Sequence, residues 1–170
     1  VPSSGQSLVE IVNSSAQFSI REMALAKIDD QSQLAEIVAN HSIAKIRQQA
    51  ANKLTDLAII ASTAEKIKHS DKGVYRLLRK KVDSANALQK AQKQQQLVLD
   101  KICTDLEAQS RLSLNPLFAA KVQSLQQQWQ QLTEQKSYTL SNALQQRFDA
   151  ASTQAQQKVT AEQSKKALFE

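Results

Sequence analysis

IREMALAKIDD at residues 20–30 and IRQQAANKLTD at residues 46–56 are two copies of one motif, shifted by 26 positions. Each copy has Arg, Ala and Lys at the same three places and ends on Asp. A looser third copy extends from His69 to Arg76 and contains one inserted residue. Repetition at this period is typical of stacked helical repeats, in which each unit needs a neighbour to bury its apolar face. We therefore predict a short helical solenoid in the first half of the chain.

The composition favours helix throughout the 170 residues. Two Gly, two Pro and 4% aromatic residues leave few of the residues that interrupt helices or build strands. The single cysteine, Cys103, cannot form an intramolecular disulfide, which favours a reducing compartment. The sequence has no apolar run of membrane-spanning length and no signal peptide at its start. We expect a cytoplasmic protein that does not bind membranes and, because the sequence opens without Met, a fragment of a longer chain.

Short helices are predicted for the first part of the chain, residues 1–83. Their expected ranges are 17–28, 31–39, 43–54 and 56–67. Asp29 and Asp30 are predicted to provide the cap of 31–39, Ser42 that of 43–54, and Thr55 is predicted to begin 56–67. Connections of two or three residues make consecutive helices antiparallel neighbours. The side chains expected to point inward are Phe18, Met23, Ala24, Ile28, Leu34, Ile37, Val38, Ile43, Ile46, Ala50, Leu54, Leu57, Ile60, Ala61, Ala64 and Ile67.

Longer helices are predicted for the second part, residues 84–170. One helix runs from Lys72 to about Leu112 and enters this part from the repeats, with a weak point near Asp83. Asn115 and Pro116 are expected to start the next helix, as its cap and its first residue. Its apolar spacings alternate between four and three, as in a coiled coil. That stripe is Phe118, Val122, Leu125, Trp129 and Leu132; a third helix, near 138–168, has Leu140, Leu144, Phe148, Ala151, Ala155 and Val159. We predict an antiparallel coiled-coil hairpin or a three-helix module, closed within one chain or between two.

The net charge of +6 is concentrated in one segment, residues 66–81. Its only acidic residue is Asp71, and its basic residues are Lys66, Lys68, Lys72, Arg76, Arg79, Lys80 and Lys81. Spacings of three and four place several of these cations on one helix face, which suits the phosphates of nucleic acid or an acidic protein surface. Tyr75 is the only aromatic residue close by, so stacking on single-stranded bases is not expected. A solvated helix face is the alternative interpretation.

The repeated charged residues have a structural and a functional interpretation. Arg21, Arg47 and Arg76 recur at one repeat position, and Asp30 and Asp56 recur at another. We favour a ladder in which the Arg stems pack between helices and their guanidinium groups pair with the Asp of an adjoining repeat. The alternative is a row of arginines on a concave binding surface.

Nothing in the sequence predicts catalysis or a bound cofactor. There is no Gly-rich phosphate loop and no interpretable Ser/His/Asp set. His41 and His69 each precede Ser at a repeat boundary without further ligands nearby, so we expect loop or capping residues rather than metal ligands. Cys103, next to Ile102, is expected to be a small buried side chain. We predict a protein that is not an enzyme and needs no cofactor.

Four segments resemble a known family. They are Ala-x-x-Lys-Leu-Thr-Asp at 50–56, Asp-Lys-Gly-Val-Tyr-Arg at 71–76, Leu-Gln-Gln-Gln-Trp-Gln-Gln-Leu at 125–132 and Ala-Leu-Gln-Gln-Arg-Phe at 143–148. Over about residues 16–150 the chain resembles bacterial proteins carrying the domain-of-unknown-function family 349. The resemblance implies HEAT-like repeats followed by a coiled-coil module, here 85–155, which is marked by a Trp in one helix and an Arg-Phe pair in the next. It implies no activity.

The sequence thus predicts an all-α interaction scaffold with HEAT-like repeats over 1–83 and a long-helix coiled-coil module over 84–170. We expect another protein as its partner, with nucleic acid bound through residues 66–81 as the alternative. The chain is expected to be a monomer or a weak homo-oligomer.

Overall fold

The computed structural model of the chain describes residues 7–135 and 139–169, and these residues form eight α-helices and no strand. The helices are α1 (Leu8–Ser14), α2 (Phe18–Ala26), α3 (Gln31–Asn40), α4 (Ala44–Lys53), α5 (Leu57–Ile67), α6 (Lys72–Arg111), α7 (Phe118–Thr133) and α8 (Asn142–Phe169). The predicted all-α fold class is confirmed. Residue 138, where the last helix was predicted to start, lies outside the described residues.

The helices belong to two compact units, Val1–Leu88 and Gln89–Glu170. Their boundary therefore lies inside α6, whereas the sequence placed it between residues 83 and 84. Asp83 does not interrupt α6, which is helical from its first residue to its last. Each unit has an apolar core of its own.

In the first unit, α2 and α4 are equivalent helices of the repeated motif, and so are α3 and α5. Each pair of equivalent helices starts 26 positions apart, at Phe18 and Ala44 and at Gln31 and Leu57. The motif buries apolar side chains at matching positions: Ala24 and Ala50, Ile28 and Leu54, Leu34 and Ile60, and Val38 and Ala64. Because α3 contacts both α4 and α5, and α2 contacts α4, successive helix pairs share one core.

Asp30 and Asp56 start the second helix of each pair. Asp30 Oδ1 accepts a hydrogen bond from the Gln33 N–H (2.8 Å), and Asp56 Oδ1 accepts from the N–H groups of Ala58 and Ile59 (3.0 and 3.1 Å). A carboxylate at the N-cap satisfies N–H groups that the helix leaves unpaired and interacts favourably with the helix dipole. Asp30 is thus the predicted cap of α3. The predicted pairing of these two carboxylates with the repeated arginines is wrong, because both serve as caps.

The third copy of the motif matches α4 at a shift of 28 positions. Its buried side chains correspond in pairs: Val74 to Ile46, and Leu78 to Ala50. The helix α5 is one residue longer than α3, and the turn 68–71 is one residue longer than the turn 41–43. Both extra residues thus precede α6, so Tyr75 rather than Arg76 occupies the position of Arg47. The prediction that Arg76 continues the Arg ladder is wrong for this reason.

Three side chains predicted to point inward are exposed. Met23 is 63% exposed and Leu57 is 47% exposed, and Ala61 is also at the surface. Leu57 is the first residue of α5 and directly follows its N-cap, where the chain has not yet turned into the core. Met23 and Ala61 lie on helix faces that no described helix covers.

Two predicted helix starts also differ from the structure. The N-cap of α4 is Ile43 rather than Ser42, and its N–H donates to Nδ1 of His41 (3.0 Å). The first turn of α4 therefore has no side-chain cap, and the His41 ring instead binds the backbone of the turn before it. The helix α7 begins at Phe118 rather than at Pro116, because residues 116 and 117 form a turn.

In the second unit, α7 and α8 are antiparallel. The rings of Trp129 and Phe148 stack with their centroids 4.2 Å apart and their planes 4° apart. Gln126 Nε2 donates to Ser152 Oγ (2.6 Å), so earlier residues of α7 meet later residues of α8. This is the pairing that the two apolar stripes predicted.

The part of α6 that belongs to the second unit runs parallel to α8. Cys103 Sγ lies 3.6 Å from the Leu144 carbonyl oxygen. Further along α8, Lys158 Nζ donates to the carbonyl of Leu112 (3.0 Å), the residue just after α6. The buried side chains of the three helices are Leu99, Ile102, Cys103, Leu106, Phe118, Val122, Trp129, Leu144, Ala151 and Ala155. Of the two predicted arrangements, the three-helix module is the one observed, with all three helices from one chain.

Candidate anion-binding surface

The seven basic residues of segment 66–81 do not form one surface. Lys66 is in the last turn of α5, Lys68 is in the following turn, and the other five lie on the first turns of α6. Five of the seven are exposed and have no hydrogen bond or ion pair to another described residue: Lys66, Lys68, Lys72, Arg76 and Lys80. The remaining two have intramolecular partners.

Lys81 is half-buried and its amine is fully engaged. Its Nζ donates to the carbonyl oxygens of Ala51, Asn52 and Leu54, at 2.9, 2.7 and 2.7 Å. These carbonyls belong to the C-terminal end of α4, where helix carbonyls lack intrahelical partners and the dipole favours a cation. Burial lowers the pKa of the Lys81 amine. Because an ammonium group has three donors, Lys81 is not available as an anion ligand, which corrects its predicted role.

Arg79 is exposed but forms an ion pair within α6. Its Nη2 lies 3.5 Å from Asp83 Oδ1, and the two side chains are 46% and 65% exposed. A pair this exposed contributes little to stability. It does offset the charge of Arg79 locally, so this residue contributes less to an anion site than its neighbours.

Lys66 lies apart from the cations of α6. It lines a groove between α3 and α5 whose walls also contain Glu36, Asn40 and Ser62. A carboxylate in the same groove makes it less suited to an anion. The structure therefore separates Lys66 from the surface to which the sequence assigned it.

Of the four exposed cations that remain, Lys68 lies in the turn before α6. Lys72, Arg76 and Lys80 form one row on the helix itself, which we call the α6 stripe. The three residues recur every fourth position on the exposed side of α6 and span about 12 Å along the helix axis. Like charges at this spacing repel each other and weaken a helix slightly. The stripe is therefore an unpaired cationic surface that does not add to the stability of the helix it lies on.

A second lysine, Lys53, repeats the role of Lys81. Its Nζ donates to the carbonyl oxygens of Leu25 and Ala26 (2.9 and 2.8 Å) at the end of α2. The acceptors of Lys53 and the first two acceptors of Lys81 are again 26 positions apart. We call this arrangement the lysine cap. The recurrence of Lys in both copies of the motif was the sequence signal for the lysine cap, but the sequence alone predicted no role for this Lys.

Arg47 joins α4 to the start of α6. Its Nε donates to Asp71 Oδ2 (2.9 Å), and its Nη1 donates to the carbonyl oxygens of His41 and Ser42 (2.7 and 3.0 Å). The predicted pairing of Arg47 with a carboxylate of the adjoining repeat is confirmed, with Asp71 as the partner. The Val74 N–H and the Arg47 guanidinium lower the pKa of Asp71, although burial opposes them.

His41 is buried and caps two segments. Its Nδ1 accepts from Ile43, so the proton lies on Nε2, which donates to the Val12 carbonyl (3.0 Å). His41 is the C-cap residue of α3 and His69 lies exposed in the equivalent turn, which agrees with the expected loop or capping position of both. Within the described residues, no group of three or more His, Cys, Asp or Glu side chains could hold a metal ion.

Arg147 ties α8 to α6 in the second unit. It donates to Glu107 through Nε and Nη2 (2.9 and 3.1 Å) and to Asp100 through Nη1 (2.6 Å). These hydrogen bonds raise the pKa of Arg147, and the one from Arg147 lowers the pKa of Glu107. Since Phe148 stacks on Trp129, the Arg-Phe pair connects α8 with both other helices. Its role in this unit is structural.

Cys103 is buried beside this network. Its Sγ faces the Leu144 carbonyl, and burial raises the pKa of the thiol. A buried thiol with a raised pKa is a poor nucleophile and a poor metal ligand. The predicted small buried side chain is confirmed.

Comparison of the chain with protein-family models, with curated proteins and with solved structures gave no match. Among the described residues, no helix combines the length and the apolar character that crossing a membrane requires.

Proposed function

We propose that the chain is a non-enzymatic interaction scaffold that binds an acidic surface of a partner protein through the α6 stripe. One observation carries this proposal. Lys72, Arg76 and Lys80 are exposed and have no partner among the described residues, while nearby Arg47 and Lys81 are engaged in holding helices together. A row of exposed like charges on one helix face, without intramolecular partners, is a candidate recognition surface.

The architecture agrees with such a role. Helical repeats present extended surfaces from a framework that each neighbouring unit stabilises, so a row of side chains is held at fixed spacing. We further propose that the repeats are HEAT-like and that the second unit is a coiled-coil module of the kind found in family 349. We also propose that the protein is bacterial and cytoplasmic, and that it is a monomer or a weak homo-oligomer. These statements rest on the sequence motifs rather than on any matched relative.

Reversing the charge of the stripe tests the proposal. The variant has Lys72→Glu, Arg76→Glu and Lys80→Glu, and a matched control has Lys90→Glu, Lys93→Glu and Lys165→Glu, which change three other exposed lysines. Partners cross-linked to the wild-type chain are identified, purified and titrated across a salt series. We expect the affinity to fall with salt and with stripe reversal but not with the control changes. Equal affinities of the two variants would contradict the proposal.

Nucleic acid is the second candidate partner. Cations about 6 Å apart along a helix can contact successive phosphates, and binding to duplex DNA should then weaken with salt by about 0.9 in the log–log slope for each contact. Affinities of DNA and RNA duplexes are measured across salt for the wild type and the stripe variant. A slope near 2.7 (three contacts at about 0.9 each) that the stripe variant reduces would favour nucleic acid. Indifference to both salt and mutation would favour the protein partner.

A further inference from the structure

Lys27 occupies the repeat position of the two lysine caps, yet its amine has no acceptor among the described residues. Lys27 and Lys53 are 26 positions apart, and Lys53 and Lys81 are 28 apart, the same shifts that relate their helices. Lys53 caps the end of α2, and Lys81 caps the end of α4. In both cases the capped helix is the first helix of the preceding pair. For Lys27 that helix has no counterpart among α1 to α8.

The short helix α1 packs against α2, as α3 packs against α4, and it also differs from its repeat counterpart. It matches α3 at a shift of 26 positions, so that Leu8 and Val12 correspond to Leu34 and Val38. Val12, Leu34 and Val38 are all fully buried, whereas Leu8 is 36% exposed. Among the described residues, Leu8 is thus less covered than its counterpart Leu34.

The face of α2 next to Lys27 corresponds to a face of α4 that is in contact with another helix. On α4, Lys45 and Gln49 contact Glu22 of α2, at 3.6 and 2.6 Å. The equivalent positions on α2 are Ser19 and Met23, and Met23 is 63% exposed. On α6 the position equivalent to Met23 is Leu77, which is half-buried against the shared core beside the lysine cap of Lys81. An apolar side chain four positions before a lysine is thus half-buried on α6 and exposed on α2.

We propose that Leu8, Ser19, Met23 and Lys27 form a docking face for a further amphipathic helix of the α4 type. The last-turn carbonyls of that helix accept the amine of Lys27, and its apolar stripe covers Met23 and Leu8. The proposal goes beyond binding through the α6 stripe, because it concerns other residues and an apolar partner. It extends an interface that the first unit already contains twice, between α4 and α2 and between α6 and α4.

The test uses a peptide with the sequence of residues 43–54, which is α4 with its flanking residues. Met23 is the only methionine, so its ε-methyl group gives one NMR signal that reports on the proposed face alone. We expect this signal to shift saturably as peptide is added to the whole chain. A peptide of the same composition in scrambled order should leave it in place.

Lys27→Glu should weaken peptide binding by about tenfold or more, because it replaces charge-assisted hydrogen bonds to carbonyls by repulsion. Lys90→Glu makes the same change at an exposed position of the second unit and should have no effect. Both residues are exposed, so circular dichroism is expected to show two folded variants. The proposal is overturned if the Met23 signal does not shift when peptide is added, or if it shifts equally in the Lys27→Glu variant. A shift that depends on protein concentration without peptide would assign the face to a second copy instead and likewise overturn it.

Discussion

Arg47 Nε lies 2.9 Å from Asp71 Oδ2, and this pair connects two successive repeats at the point where α6 begins. The side chains are 21% and 15% exposed, so water screens them only in part. Arg47 also holds the two carbonyls of the preceding turn, while Asp71 accepts the N–H of Val74 (3.0 Å). Each partner therefore fixes a backbone segment as well as the other side chain.

Arg47→Ala should lower the free energy of unfolding by about 1–3 kcal/mol, because it removes packed methylene groups and leaves half-buried acceptors unpaired. The neighbouring Gln48 is exposed, and Gln48→Ala should have little effect. Denaturant unfolding of the two variants measures the difference. Equal and negligible losses would mean that the guanidinium lies in solvent and would favour the binding-row interpretation.

Asp71 should make the first unit sensitive to acid. An Asp carboxyl has an ordinary pKa of 3.8, and in the folded chain the pKa of Asp71 is lower, mainly through the Val74 N–H and then Arg47. The ionised carboxylate therefore stabilises the fold fully above 3.8, and this contribution is lost as the pH falls through the lower folded-state pKa. Asp71→Asn should destabilise the chain at neutral pH, and the difference from wild type should shrink below pH 3.8. The control Asp83→Asn, at a 65% exposed position, should change the free energy of unfolding little at neutral pH.

Substitutions of the adjacent Lys80 and Lys81 should affect different properties, partner binding for Lys80 and stability for Lys81. Lys81→Met keeps an unbranched side chain but removes the donors to three helix-end carbonyls, so it should lower the free energy of unfolding by about 1 kcal/mol or more. Lys80→Met should leave stability nearly unchanged and weaken binding of an acidic partner. Thermal unfolding and a binding titration on both variants check this. If Lys81→Met weakens binding but leaves stability unchanged, Lys81 belongs to the anion-binding surface after all.

The local signals in the sequence were sufficient for much of the fold. Asp30 could be predicted as a cap because its hydrogen bond reaches only three residues along the chain, to Gln33. The third repeat was misaligned by one residue at Arg76, because the extra residues lie in α5 and the following turn, where nothing in the sequence marks them. Burial of Val74 and Leu78 fixes the alignment only once the helices are packed.

The candidate surface was harder to predict than the helices. Lys80 and Lys81 are adjacent and chemically identical, yet one is exposed and the other caps α4. The acceptors of Lys81 are backbone carbonyls about one repeat earlier, and every residue has a carbonyl, so no residue type marks them. Charge counting therefore overestimated the anion surface. The recurrence of Lys27 and Lys53 was the available signal, and it became interpretable only with the geometry of the lysine cap.

Cys103 should be unreactive in the folded chain, because its side chain is buried and its thiol has a raised pKa. A thiol reagent should modify it only when the second unit opens, so the modification rate should rise steeply with denaturant. Arg147→Ala removes the link between α8 and α6 and should accelerate modification under native conditions. Rapid modification of the wild-type chain without denaturant would contradict burial of Cys103.

Trp129 should be the anchor of the second unit. Its indole is 5% exposed and stacks on Phe148, and it is the only tryptophan, so its fluorescence reports on this site alone. Trp129→Ala should lower the free energy of unfolding of the second unit by about 3–5 kcal/mol, because it opens a cavity among α6, α7 and α8. Trp129→Phe retains an aromatic partner for Phe148 and should cost less.

Because the chain forms two units, the effect of Trp129→Ala should be confined to the second unit. In the Trp129→Ala variant, thiol modification of Cys103 should accelerate while the Met23 methyl signal stays at its native position, because these residues belong to different units. Wild-type emission should be that of a buried indole, and light scattering should give one chain. Water-exposed emission would remove Trp129 from the core. A dimer that resists dilution would contradict a monomeric chain.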